Sequence, residues 1–302
     1  MPPLPEFQSE TETQVVGGRL YVVATPIGNL GDLSPRAIST LSTVSFVAAE
    51  DTRQTRRLLA ANDIHTPLIS FHSHSSPQRM EEVLHRVKAG ESAALVTDAG
   101  TPGISDPGGE LVRAAVDLGI RVVPIPGASA PICALSASGL DPSRFLFHGF
   151  LPRKSGDRRK ALQQLASLPH TLIFFEAANR LDETLRDLAA VLGNRQSVVA
   201  RELTKYFEEF VRGSLEELEI WAREKPPRGE CVVLVAGNPA EPPIAEAANQ
   251  TEALLDLLEQ GLSVRDASRR LSETTGIPRR ELYELATRLR NDQGVTNGAT
   301  VG

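Results

Sequence analysis

Strand-sized runs rich in β-branched residues alternate with helix-sized stretches along most of this chain, and that alternation leaves few folds open. The first run is Arg19 to Thr25 (RLYVVAT), and Ser34 with Pro35 then marks a helix start. Further strands are expected over 44–49, 67–71, 93–97 and 121–125, separated by helices over 53–62, 78–89 and 109–118. Such a pattern predicts a mostly parallel sheet covered on both faces, with right-handed crossings. A second round follows. It places helices at 131–137, 158–167, 181–192 and 214–223, and strands at 144–149, 171–175, 197–203, 206–213 and 230–236. The expected fold class is therefore α/β, with an N-terminal α/β domain over 19–127 and a C-terminal α/β domain over 128–240. Pro239, Pro242 and Pro243 make a stiff linker. A small helical module follows over 245–290, and residues 1–18 and 291–302 read as disordered tails.

Composition narrows the classes. A length of 302 residues suits two compact domains plus an appendage. No apolar run approaches the ~18 to 20 residues of a membrane span, and the first 18 residues lack the apolar segment of a secretory signal. Two cysteines, Cys133 and Cys231, are too few for a disulfide scaffold and fit a cytoplasmic location. The net charge of −6 excludes a bulk polycation that holds nucleic acid by charge alone. The basic residues cluster, however: Arg144 to Lys160 carries six against one acid.

The most informative feature is a set of three loops at strand ends: ATPIGNLGD (24–32), DAGTPGISDPGG (98–109) and PIPGASA (124–130). In open α/β sheets, ligands bind beyond the carboxyl ends of strands, and glycine there lets backbone groups approach a ligand closely. Three such loops in one domain point to a small-molecule site. Familiar patterns fail. No G-x-G-x-x-G follows a strand, GFLPRKS lacks the glycine that a phosphate loop places before its lysine, and Pro131 stands where a nucleophile elbow at Ser129 needs glycine. The residues alone leave the ligand unnamed.

The motifs TPIGNLGDLSPRA, AEDTR, DAGTPGISDPG, PIPGASA, FHGFLPRK, FFEAANRL and GECVVLVAGN occur in the same order as in the tetrapyrrole methylase superfamily, which the chain resembles from Arg19 to Arg290. They are most similar to its ribosomal RNA branch, whose members methylate a cytidine ribose 2′-hydroxyl in small-subunit (16S) RNA. The resemblance implies two α/β domains of the class III methyltransferase type, S-adenosyl-L-methionine bound in the cleft between them, and a homodimer. It places the cofactor against Pro26, Ile27 and Gly28, against Ala99, Gly100, Thr101 and Ile104, and against Gly127, Ser129 and Ala130. The second domain contributes around Phe175 and Leu203. Thr101 stands where the tetrapyrrole branch carries aspartate, which argues against a porphyrin-like substrate.

Methyl transfer from a sulfonium is an in-line displacement, so the chain must supply placement and a base for the hydroxyl proton. Candidate bases are Asp51, Glu176, Glu50 and His72. Asp51 is equally suited to capping the helix that follows, and Glu176 to pairing with Arg180. His72 and His74 lack a third clustered ligand, so no metal is expected. Candidate RNA contacts are Arg53, Arg153, Lys154, Arg158, Arg180 and Lys205. Leu271, Ile277, Leu282, Leu285 and Leu289 are spaced to pack three short helices into a helix–turn–helix-like module or a helical cap. Rival readings are a methylase of a tetrapyrrole or protein substrate, a non-catalytic RNA-binding assembly module, and a hydrolase through Ser129.

Overall fold

The computed structural model describes residues 18–73, 75–238, 244–275 and 277–296, in two compact units divided after Asn238. His74, the linker prolines and, of the tails expected over 1–18 and 291–302, residues 1–17 and 297–302 lie outside the described residues. In the larger unit, β1 (Arg19–Val23), β2 (Phe46–Ala49), β3 (Leu68–Ser70), β4 (Ala93–Val96) and β5 (Arg121–Ile125) form an all-parallel sheet in the order β3-β2-β4-β1-β5. The crossovers carry α1 (Pro35–Thr43), α2 (Thr52–Ala60), α3 (Pro77–Lys88) and α4 (Gly109–Asp117). Ser34 caps α1 by accepting from the Ala37 N–H, with Pro35 at its first turn.

Period-two alternation builds two cores from one set of strands. Val47, Ala49, Ala94 and Val96 pack with Ala37, Leu41 and Leu59 on one face. Phe46, Ala48, Ala93 and Leu95 pack with Val83, Leu84, Val87, Leu111 and Ala115 on the other. Both faces are thus covered, which is why these strands read as continuous apolar runs. The chain leaves β1 toward β2 on one side and leaves β4 toward β5 on the other. Helices α1 and α4, which follow these neighbouring strands, therefore lie on opposite faces, and a crevice opens at the two carboxyl ends.

The second sheet differs from the expected repeat. It comprises β6 (Phe145–Phe150), β7 (Thr171–Ala177), β8 (Gln196–Arg201), β9 (Glu209–Ser214) and β10 (Glu230–Val235), in the order β6-β7-β10-β8-β9. Only β6 and β7 pair in parallel. The connection from β8 to β9 is too short for a parallel crossover, so the two make an antiparallel hairpin. Strand β10 then inserts antiparallel between β7 and β8. Helices α6 (Ser155–Gln163), α7 (Leu181–Leu192) and α8 (Leu215–Glu224) cover one face; α5 (Ala130–Ser138) and Ile27 from the first sheet's loops pack on the other.

Helix α6 begins at Ser155, three residues before the expected start, and this corrects the reading of Arg158 as an RNA contact. The helix turns Arg158 inward, leaving it 1% exposed. Its guanidinium lies 2.6 Å from Asp187, and it donates to the Arg153 carbonyl at 3.2 Å. Arg159 and Ser155 also donate to Asp187, at 2.6 and 3.1 Å. Burial works against the Asp187 charge, but hydrogen bonds from Arg159, Ser155 and Arg158 outweigh it and hold the carboxyl below its ordinary range. That contribution to stability is present above the unfolded carboxylate pKa and is lost as pH falls through the folded one.

The second unit, by itself, is three helices: α9 (Ile244–Glu259), α10 (Val264–Thr275) and α11 (Arg279–Thr296). Leu254, Ala267, Leu271, Leu282 and Ala286 form its core, with Ile277, Leu285 and Leu289 packed against it. Ser263 accepts from the Asp266 N–H and starts α10. The last helix continues past Arg290 to Thr296, which corrects the reading of 291–296 as tail: Asn291 to Gln293 can extend a helix, and the single Gly294 weakens one without ending it.

Removing the partner of a buried guanidinium costs about 3 to 5 kcal/mol. Asp187→Ala is therefore expected to lower the unfolding free energy from urea titration by that order, with a lower midpoint, and a midpoint within error of the wild type would refute the inward reading of Arg158.

Candidate active site

At the crevice the tips of β1 and β4 are tied by a reciprocal backbone pair. The Thr25 N–H donates to the Gly100 carbonyl at 2.9 Å, and the Gly100 N–H donates to the Thr25 carbonyl at 3.1 Å. Gly100 has φ +86°, a left-handed conformation in which glycine carries no side-chain penalty. The Thr101 hydroxyl donates to the Ala128 carbonyl at 3.2 Å, drawing in the loop after β5. Across the crevice, Gly28 meets the turn after β8 so closely that a Cβ there would stand 2.8 Å from Thr204 Oγ1 and 2.9 Å from the Leu203 carbonyl oxygen.

These loops and the second sheet enclose a cavity of ≈ 380 Å³, within the ~300 to 1,000 Å³ usual for small-molecule sites. Ile27, Ala99, Gly100, Thr101 and Ile104 line it from the first lobe, Ser129 and Ala130 from the start of α5, and Phe175 and Leu203 from the second lobe. Pro26, Gly28 and Gly127 do not line it. Gly28 is needed for the close approach to the β8 turn, and a Cβ on Gly127 would stand 2.9 Å from Ala24 Cβ. Both glycines serve the close packing of the loops.

The cavity's charge was hidden in the sequence. Asp106, Glu176, Glu202 and Glu230 line it against a single ammonium, Lys205. Lys205 is itself paired with Glu202 at 3.1 Å and Glu230 at 3.8 Å. Burial, then the fields of Glu50 and Asp98, push the Asp106 carboxyl up to about 6, against an opposing interaction with the Thr97 hydroxyl. Burial likewise pushes the Cys231 thiol up to about 12. Phe150 adds an aromatic wall, its ring centroid 5.4 Å from that of Phe175.

The expected bases fare unevenly. Asp51 caps α2, accepting from the Arg53 N–H at 2.8 Å, and pairs with the Arg53 guanidinium at 2.7 Å. Hydrogen bonds from Arg53 lower its carboxyl to about 2, which leaves a weak base outside the cavity. Glu176 lines the cavity, yet both its oxygens are taken. Thr184 Oγ1 donates to one at 2.6 Å, the Ala177 N–H to the other at 2.8 Å, and Arg180 lies at 3.4 Å. This corrects the role of proton acceptor for Asp51, while Glu176 stays in the lining with its side chain anchored. Glu50 accepts from the Asp98 N–H at 3.3 Å, beside the cavity. His72 is exposed and away from the lining. Of the expected RNA contacts, Arg53 is 83% exposed, and Arg153 and Lys154 are exposed next to the end of β6. Arg180 is turned to Glu176 and to the Pro152 carbonyl. Asp106, Glu202, Glu230 and Phe150 escaped the sequence reading; the DAGTPGISDPGG loop carried Asp106, but only its neighbours distinguish it from an ordinary turn residue.

The sequence profile of the Tetrapyrrole (Corrin/Porphyrin) Methylases matches residues 19–219. The chain belongs to the tetrapyrrole methylase family. A second profile, the RsmI C-terminal HTH domain, matches residues 245–290 of this tetrapyrrole methylase. Relatives named ribosomal RNA small subunit methyltransferase I place it in that branch. One from Synechocystis is 50% identical over 277 residues, covering 91% of this chain and 99% of the relative. One from Pseudomonas aeruginosa is 50% identical over 274 residues, with 89% and 96% covered. Among solved structures, diphthine synthase superposes with a TM-score of 0.58 at 15% identity, covering 73% of this chain and 90% of that one. Uroporphyrin-III C-methyl transferase from Thermus thermophilus, complexed with S-adenyl homocysteine, gives 0.53 at 20% identity, with 72% and 97% covered. Both show that the tetrapyrrole methylase fold is shared. Among the described residues no helix is long and apolar enough to cross a membrane.

A buried thiol raised to about 12 is protonated and unreactive at pH 8. Cys231 should therefore resist alkylation in the folded protein and react after unfolding, as peptide mass mapping would detect.

Proposed function

We propose that this chain transfers a methyl group from S-adenosyl-L-methionine to the ribose 2′-hydroxyl of a cytidine in 16S ribosomal RNA. The observation that carries the reading is the cavity at the strand tips, with four carboxylates against one lysine. Such a wall favours a small ligand bearing positive charge, and a sulfonium donor with its ammonium group is one. Ile27 and Ala99 to Thr101 would hold it from the first lobe, Ser129 and Ala130 from the start of α5, and Phe175 and Leu203 from the second lobe. When bound, it supplies an activated methyl group; everything else falls to this chain's residues. They must align the hydroxyl with the carbon–sulfur axis, which is worth about 7 to 11 kcal/mol when done well.

The same wall repels phosphate, so the RNA backbone belongs outside the cavity, on exposed cations such as Arg53, Arg153 and Lys154. The names of the relatives support ribosomal RNA as substrate. Thr101 spends its hydroxyl on the Ala128 carbonyl, and its place where the tetrapyrrole branch has aspartate argues against a macrocycle. In this reading the acting species is a cytoplasmic homodimer working on RNA within the small subunit.

Calorimetry with S-adenosylmethionine and S-adenosylhomocysteine, followed by mass-spectrometric mapping of methyl-labelled 16S RNA, tests the proposal. Label on one cytidine ribose is the expected result; binding without transfer would favour an assembly module instead. Neutralising Arg153 and Lys154 together should weaken subunit binding and reduce the slope of log K against log salt by about 0.7 to 0.9 per lost phosphate contact. An unchanged slope would remove both from the interface.

A further inference from the structure

The transfer reading leaves the proton of the ribose hydroxyl without an acceptor. Asp51 lies outside the cavity in a helix cap, and Glu176 has both oxygens occupied. Glu202 accepts from Lys205 at 3.1 Å and from the Glu230 N–H at 3.4 Å. Glu230 has its side chain 88% exposed. Asp106 remains.

Three independent features set it apart. It lines the cavity on the loop after β4, where the three strand-tip loops converge. The preceding residue, Ser105, is a non-glycine residue with φ +63°, a conformation held only where surroundings over-determine it. Those surroundings include the bulge in β6: Gly149, at φ +81°, approaches so closely that a Cβ on it would stand 2.9 Å from Ser105 Oγ. Finally, Thr97 Oγ1 is buried without a hydrogen-bond partner and lies near enough to favour the Asp106 charge. With no partner of its own, that hydroxyl is free to donate to the carboxylate.

Resting on the methyl-transfer reading, we propose that Asp106 is the catalytic residue that accepts the substrate hydroxyl proton. In the step, the oxygen–carbon bond forms as the carbon–sulfur bond breaks. The electron pair of the broken bond stays on sulfur, which loses its positive charge, and the hydroxyl proton passes to the Asp106 carboxylate and later to water. A free aspartate is a poor base near neutral pH, and an acceptor works best with a pKa near the working pH. Burial and the negative neighbours Glu50 and Asp98 bring Asp106 toward that range. Glu176, Glu202, Glu230 and Lys205 face the same cavity from the second lobe.

The test compares the wild type with Asp106→Asn and Asp106→Glu, on small subunits as substrate. S-adenosylhomocysteine affinity is measured first, as a check on folding and on the pocket. Asp106→Asn is expected to keep that affinity within about threefold and to lose about 10²- to 10⁴-fold in kcat, the usual range for a general base. The wild-type kcat should fall on the acid side, and the asparagine variant should lack that limb. Asp106→Glu should recover part of the rate together with the limb. Normal kcat in Asp106→Asn, or an unchanged acid limb, overturns the assignment while leaving methyl transfer intact. Loss of S-adenosylhomocysteine binding also overturns it, making Asp106 a residue that holds the cofactor. A wild type that transfers no methyl group fails one level earlier, and the assignment falls with the reading it rests on.

Discussion

Parallel strands fan apart at their ends, and a ligand site built there needs something to fix the distance between neighbouring tips. In this chain two backbone hydrogen bonds between Thr25 and Gly100 do so. They join the two strands whose crossovers run in opposite directions, where no helix fills the gap. The geometry requires the left-handed backbone of Gly100, and the next residue, Thr101, uses its hydroxyl to bring in the Ala128 loop. Gly28 then lets the turn after β8 close down on the same point. Cavity, wall charge and the setting of Asp106 all depend on that fixed floor.

Much of this architecture was legible because local chemistry and burial agree. Ser34 and Pro35 announce α1, and the apolar runs of the first sheet announce strands covered on both faces. The three glycine loops identify the crevice without naming its occupant. Pairing direction in the second sheet was not legible, since alternating strands and helices do not reveal that β10 slips between β7 and β8.

Charged residues were the least readable. Arg158 sits in a run of basic residues, yet one turn of helix decides between solvent and Asp187. Asp51 and Asp106 both sit on loops that follow strands of the first sheet, and their sequence neighbours do not reveal the acidic groups that gather around Asp106. A guanidinium beside one carboxylate and negative neighbours around the other push them in opposite directions. A distribution of charge in space, rather than a motif, makes the difference.

The acidic lining also bears on how the site would empty. Under the proposed chemistry, the donor enters with a positive sulfur and leaves as a neutral thioether. The carboxylates around the cavity would then attract fresh donor more than spent donor, most strongly at Glu176, which is shielded from solvent, and least at exposed Glu230.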